Sequence, residues 1–266
     1  MSKIGFIGCG NMGGALASAV VREIGGASVL LCDADTDKAA RLASKIGATS
    51  VSLDKVVKDA DCIFLGVKPQ GFPSLLSEIS PMLDERSYKP LFISMAAGLS
   101  TEKIAPMLGD GARLIRIMPN TPVAVGEGMT LYCATDTVTE ADLACFRLIM
   151  KQTGRVSPIS EDKIDAASAV SGCGPAFAYL FAEALADAGV ACGLSRSDAQ
   201  TLAAQMLLGS ARMVLESEQN PGALKDAVCS PGGTTIAGVY ALEQGGFRGS
   251  VMSAVTSAYR RTLELK

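Results

Sequence analysis

Two stretches of this 266-residue chain carry residue types and spacings that could do chemistry. The first is Gly8-Cys-Gly10-Asn-Met-Gly13, a G-x-G-x-x-G run. It follows a strand-like segment and opens a helix-like one, which is the context a dinucleotide-binding turn requires. Gly8 permits a tight turn, Gly10 lets the backbone approach a pyrophosphate, and Gly13 lets the helix pack on the sheet. The helix start then offers free N–H groups and a partial positive charge. A glycine-rich turn with no ligand has the same composition. The second stretch is Cys229-Ser-Pro-Gly-Gly-Thr-Thr235, a polar, helix-breaking turn in a region that otherwise reads as helix after helix. Its successive backbone N–H groups and hydroxyls suit an anion nest at a helix N-terminus, expected to begin at Thr235. A plain connection between helices would also use such a turn.

What the chain lacks is as informative. It has no histidine. That removes the commonest metal ligand, the commonest general base, and the Ser-His and Cys-His nucleophile designs. No metal site is expected. The eight cysteines are scattered without a CxxC pair and read as small reduced thiols in a cytoplasmic protein.

Further candidates lie near the first motif in the expected fold. Asp33 follows Gly13 by about twenty residues, at the end of the second strand, where a carboxylate accepts hydrogen bonds from adenosine ribose hydroxyls and repels a 2′-phosphate. Taken alone it points to NADH; an exposed turn acid is the other reading. Gly66-Val-Lys-Pro69 and Met118-Pro-Asn-Thr-Pro122 end two later strands at the edge where open α/β sheets bind ligands, and they are expected to line a nicotinamide pocket.

The elements that must position these residues alternate in the first part of the chain. Strands are expected at Lys3–Ile7, Ser28–Cys32, Ala48–Val51, Asp61–Val67, Pro90–Ser94 and Arg113–Met118. Helices are expected over Met12–Glu23, Lys38–Ile46, Phe72–Met82 and Thr101–Met107. Such alternation predicts a parallel sheet with helices on both faces. Met129–Ala134 and Gly154–Pro158 finish the sheet, with a helix over Glu140–Lys151. Beyond about Glu161 no strand is expected. A long helix from Asp162 to Gly189 breaks near Gly172–Pro175. Ser195-Arg-Ser-Asp198 opens a helix to about Glu218, and shorter helices follow. The predicted organisation is a Rossmann-type domain over 1–160 and an all-helical domain over 161–266.

Hydrophobic residues make up 48% and charged residues 19%, with net charge −3. That is a globular composition. No basic stripe runs along any segment, so no nucleic-acid partner is expected. No unbroken run of about 18 apolar residues occurs, so no membrane span is expected either.

With these residues assembled, the chain resembles the pyrroline-5-carboxylate reductase family over essentially its whole length. The resemblance rests on IGFIGCGNMG at 4–13, VKP at 67–69, Met95-Ala-Ala-Gly98, MPNTP at 118–122, SGCGPAFAY at 171–179 and PGALKDAVCSPGGTTIAGV at 221–239. The last stretch is highly specific to the family; the first is not. The resemblance implies hydride transfer from NADPH or NADH to the imine carbon of Δ1-pyrroline-5-carboxylate, giving L-proline. It implies cofactor contacts at Ile7, Gly8, Cys9, Gly10, Asn11 and Met12, at Gly66, Val67, Lys68 and Pro69, at Met95, Ala96, Ala97 and Gly98, and at Asn120. It places the substrate carboxylate at the second motif, with Val228, Ser230, Gly232, Gly233, Thr234 and Thr235, and an acid near the site at Glu218. Glu218 also reads as a solvated helix end, and Lys225 carries the same ambiguity. Members that favour NADPH have a small polar residue and basic neighbours where this chain has Asp33-Ala-Asp35, a departure that bears on coenzyme choice.

A protonated imine is already electron-poor, so hydride transfer to it mainly needs positioning, which can contribute about 7–11 kcal/mol. Thr235 is expected to bond the ring nitrogen, with Ser168 as a second hydroxyl by resemblance. The alternatives are a related cyclic imine reductase, a β-hydroxyacid-dehydrogenase-like enzyme and a dinucleotide sensor. The β-hydroxyacid enzymes place a lysine four residues after a G-x-G near the start of the long helix, where this chain has Ala178. The helical region carries more apolar faces than one small unit can cover, as in Ala199–Met213, and a homodimer or assembly of dimers is expected.

Overall fold

The computed structural model describes residues 2–264. The chain divides into two compact units. One holds the described residues through Gly172 together with those from Tyr259 onward, and the other is Cys173–Ala258.

The first unit is a twisted eight-stranded sheet in the order β3-β2-β1-β4-β5-β6-β7-β8. Its strands are β1 (Ile4–Ile7), β2 (Val29–Cys32), β3 (Thr49–Ser50), β4 (Cys62–Leu65), β5 (Leu91–Ser94), β6 (Arg113–Met118), β7 (Gly128–Ala134) and β8 (Gly154–Pro158). Its helices are α1 (Asn11–Ile24), α2 (Thr36–Ile46), α3 (Leu53–Asp59), α4 (Phe72–Asp84), α5 (Thr101–Ile104), α6 (Glu140–Ile149) and α7 (Ile164–Ser171). All pairings are parallel except β6 with β7. A parallel return needs a crossover of a dozen residues or more, and the short turn Pro119–Glu127 cannot supply one.

Strand side chains alternate between the two faces. Phe6, Phe64, Ile115 and Ile117 join α1 and α6 in one core, where Phe6 stacks on Phe64 at 4.4 Å. Ile7, Ile63, Leu65 and Leu114 meet α3 and α4 in the other. Both faces are thus covered, and the central strands are apolar throughout.

Local chemistry fixes the ends. Asp35 caps α2, and Thr139 with Asp142 forms a full capping box on α6. Pro106 turns the helix expected over Thr101–Met107 into the single turn α5 followed by a 3₁₀ turn, Ala105–Leu108. The compact division falls after Gly172, later than 160, because α7 is ion-paired to β6.

The second unit is helical: α8 (Gly174–Ala191), α9 (Arg196–Glu216), α10 (Pro221–Ala227), α11 (Thr234–Gln244) and the start of α12 (Phe247–Glu264). Ser195 Oγ accepts the Asp198 N–H at 3.1 Å and starts α9. Among its described residues only Ala186, Ala199 and Ala203 are apolar and buried, whereas Leu180, Leu202, Leu208, Met213, Tyr240 and Met252 are exposed. The helical stretch Glu161–Ala191 is long and apolar enough to cross a membrane by length and composition, with mean hydropathy 1.3. It holds no unbroken apolar run, since Asp165, Glu183 and Asp187 interrupt it, and length and composition alone do not make it a membrane span. Counting unbroken apolar runs misses a helix whose hydropathy comes from many alanines.

Candidate active site

Turns at the carboxyl ends of β1, β4, β5 and β6 form one edge of the sheet. Strand order reverses between β1 and β4, and a ligand of an open α/β sheet binds at such a switch point. Gly8 turns the chain there with φ +103° and donates its N–H to Cys32 O at 2.8 Å. A Cβ on Gly8 would lie 2.6 Å from the Gly66 carbonyl, and one on Gly13 would lie 2.2 Å from Gly8 O. Gly10 is different: nothing stands within 4 Å of where its Cβ would be. It precedes α1 in extended conformation, and no side chain caps the helix. A Cβ at Gly10 would therefore meet open space rather than the protein. The uncapped N–H groups of α1 beside it fit a dinucleotide pyrophosphate.

The other residues of this edge contribute mainly backbone. Ile7 and Cys9 are buried, and Ala96 lies in the core under α4. Only their main-chain atoms are free to face a ligand. Burial pushes the Cys9 thiol up to about 11, with the Asp33 carboxylate adding to the shift, so this thiol stays protonated. Met12 packs on the core below α1, and Asn11 is exposed. Val67 leans into the core, Lys68 is exposed, and Pro69 starts a 3₁₀ turn. Gly98 turns the β5 loop with φ +78° behind exposed Ala97 and half-buried Met95.

Asp33 sits inside this edge. Its Oδ2 accepts the Cys9 N–H at 2.6 Å and the Lys38 ammonium at 3.1 Å, and its Oδ1 accepts the Asp35 N–H at 3.0 Å. The side chain is 11% exposed. Burial alone would raise its pKa, but these hydrogen bonds outweigh it and hold the carboxyl below its usual value. The aspartate is therefore neither an exposed turn acid nor a group reserved for a ribose. It braces the glycine loop, and Oδ1 keeps a second lone pair for another donor.

Asn120 is buried, and both ends of its amide are in use. Nδ2 donates to Ser171 O at 2.9 Å, and Oδ1 accepts the Met129 N–H at 2.9 Å. Ser168 stands one turn before Ser171 on α7. Its hydroxyl has no hydrogen-bond partner among the described residues, and it occupies the space a Cβ on Gly172 would need, at 2.8 Å.

In the second unit the CSPGGTT turn links α10 to α11. Gly232 has φ +69°. Gly233 caps α11 in extended conformation, and a Cβ there would meet Ser230 Oγ at 2.4 Å. The Gly233 N–H is already donated to Ser230 O at 3.0 Å. The donors offered by the turn are thus the first N–H groups of α11, which begins at Thr234, one residue earlier than expected, together with the exposed Ser230 and Thr235 hydroxyls. α9 ends at Glu216, so Glu218 stands in the following turn and is exposed, as is Val228. Lys225 is held by Asp226, whose hydrogen bond raises the lysine pKa.

The sequence reading missed one feature. Arg116, 2% exposed, reaches Glu161 through Nη1 at 2.9 Å and Asp165 through Nη2 at 3.3 Å. Glu161 also accepts the Thr101 N–H at 2.8 Å. Burial opposes its ionisation, but the Thr101 and Arg116 hydrogen bonds prevail and lower its pKa. The signal was available: a charged residue inside the apolar strand RLIRIM must be paired where it is buried.

Residues 161–265 match the family model for pyrroline-5-carboxylate reductase dimerisation, and residues 3–98 match one for NADP oxidoreductase, coenzyme F420-dependent. The pyrroline-5-carboxylate reductase of Escherichia coli K12 is 41% identical over 99% of this chain and 98% of its own. The solved pyrroline-5-carboxylate reductase of Coxiella burnetii superposes with TM-score 0.89 at 35% identity, covering 100% of this chain and 98% of that one. The Plasmodium falciparum enzyme, solved with NADP bound, gives 0.85 at 36%, covering 98% and 97%.

Proposed function

The chain belongs to the pyrroline-5-carboxylate reductase family, and on that premise we propose how its residues divide the work. The enzyme is an NAD(P)H-dependent oxidoreductase of proline biosynthesis that reduces the C=N bond of Δ1-pyrroline-5-carboxylate to L-proline. The observation that carries the assignment of roles is the uncapped start of α11 behind Gly233, flanked by the Ser230 and Thr235 hydroxyls.

The first N–H groups of α11 and Ser230 Oγ bind the substrate carboxylate, with Gly232 and Gly233 shaping the turn and Val228 as an apolar wall. Glu218, exposed in the turn after α9, holds the ring-nitrogen side of the substrate through its negative charge. Thr235 Oγ1 hydrogen-bonds the ring nitrogen and keeps the proton there. Ser168 supplies a second hydroxyl. Neither is a strong acid, and none is needed, because the protonated imine carries its own positive charge. When bound, the reduced nicotinamide supplies the hydride.

The dinucleotide would be held by the backbone of Ile7–Met12 at α1, by Gly66–Pro69 and by Met95–Gly98. Asn120 acts on that pocket by fixing the turn after β6. At the adenosine end Asp33, Asp35 and Asp37 crowd negative charge, while Lys38 and Arg41 are already paired with Asp33 and Asp35. A 2′-phosphate brought there meets like charge, whereas Asp33 Oδ1 can still accept a ribose hydroxyl. NADH is therefore the preferred coenzyme.

The active form is at least a homodimer, and the exposed apolar faces of the second unit, α8 among them, face a second copy rather than lipid. The cytoplasm suits the eight free cysteines. The deciding experiment is the initial rate of NADH and NADPH oxidation with pyrroline-5-carboxylate under identical conditions. Faster turnover with NADH is expected. Faster turnover with NADPH overturns the role given to the acidic adenosine end, and no turnover with either overturns the function.

A further inference from the structure

Within the first unit, α7 is held at both ends by β6 and the turn that follows it. At its first turn Asp165, 4% exposed, takes Nη2 of Arg116. At its last residue Ser171 O takes Nδ2 of Asn120. Arg116 also binds Glu161 just ahead of α7, and Glu161 ties to the backbone of Thr101 at the start of α5. A buried guanidinium is costly to desolvate, and an apolar pair of similar volume would hold a helix as well or better. Such a pair would not fix the helix in one register, whereas a forked guanidinium gripping two carboxylates does. The residue this register fixes is Ser168, between the two clamps, whose hydroxyl has no partner among the described residues and lies against Gly172.

We propose that Arg116 and Asp165 are positioning residues for the reduction: they set the axial and rotational register of α7 and so aim the Ser168 hydroxyl. The inference rests on the role proposed for Ser168. A lysine at 116 would keep the charge but could grip only one of the two carboxylates well. An asparagine at 165 would keep the shape but lose the charge. Either change lets α7 shift by a fraction of an ångström to an ångström, and misplacement of that order costs roughly tenfold to a hundredfold in rate.

The test is a pair of double-mutant cycles in the full-length enzyme. Asp165→Asn and Arg116→Lys are each made alone and together with Ser168→Ala, and kcat and both KM values are measured. Thermal unfolding of every variant checks that it is folded at the assay temperature. If Asp165→Asn fails that check, the Arg116→Lys cycle carries the test. The expected result is a roughly tenfold or larger fall in kcat for the clamp variant, little change in the KM for NADH, and loss of that effect once Ser168 is alanine. A clamp variant with unchanged kcat overturns the inference. So does a fall of the same factor with and without the Ser168 hydroxyl, because a merely structural role does not pass through that hydroxyl. Full activity of Ser168→Ala alone is a separate outcome: it removes the role of Ser168 and the inference with it, and leaves the rest of the proposed function standing.

Discussion

Single residues decide whether a ligand or the protein itself fills the space beside a glycine. Gly10 and Gly13 belong to one motif, yet a Cβ on Gly10 meets nothing within 4 Å and one on Gly13 meets Gly8 O at 2.2 Å. Gly10→Ala is therefore expected to leave the unfolding temperature unchanged while weakening coenzyme binding. Gly13→Ala is expected to destabilise the fold by about 1–3 kcal/mol. Calorimetry and coenzyme titration separate the two. Thr235→Ala removes one hydrogen bond to the ring nitrogen, and kcat/KM should fall by roughly 1–3 kcal/mol of transition-state stabilisation. Steady-state kinetics with saturating coenzyme read this directly, and a wild-type rate would refute the role. Asp33 makes a pH prediction. Its folded-state pKa lies below the unfolded value of about 3.9. Its contribution to stability is thus present above about pH 4 and is lost as pH falls through the folded pKa. In urea titrations, the stability difference between the wild type and Asp33→Asn should shrink on going from about pH 5 to about pH 3. The position of Asp33 in the motif was legible in the sequence. That its carboxylate turns to the Cys9 N–H was not, because the choice among donors depends on which backbone groups the fold brings near.

At the scale of elements, the alternation of strands and helices was readable because both periods leave clear apolar spacing in the chain. β6 has the expected ends, and those of β1, β2, β4 and β5 fall within two residues of expectation. The reversal at β7 follows from a connection too short for a crossover. The turn between α10 and α11 is an element in its own right. Gly233 must lack a side chain because Ser230 Oγ sits at 2.4 Å from the Cβ position. Gly233→Ala should therefore displace Ser230 and raise the KM for pyrroline-5-carboxylate severalfold, with the KM for NADH unchanged. A matched rise in both constants would mean that the turn serves the fold at large.

Taken whole, the second unit buries almost none of its large apolar side chains, and a chain of this kind is completed by a second copy. An apolar groove of about 650 Å³ lies between α8, α11 and α12, lined by Phe181, Leu242, Phe247 and Val251. Val251→Asp should weaken dimerisation, seen as a concentration-dependent loss of mass by light scattering, with activity falling in parallel. A monodisperse, active dimer at all concentrations would place the interface elsewhere. The sequence by itself determined the fold class and the places of the two glycine-rich turns. Each is a local pattern of period, φ requirement or missing side chain that the chain carries wherever it folds. Only the tertiary structure decided that Arg116 grips Glu161 and Asp165, that Asn120 ties to Ser171, and that Asp33 spends its charge on the glycine loop. These partners are far apart in sequence, and a buried charge or amide takes whichever partner the packed core leaves within reach.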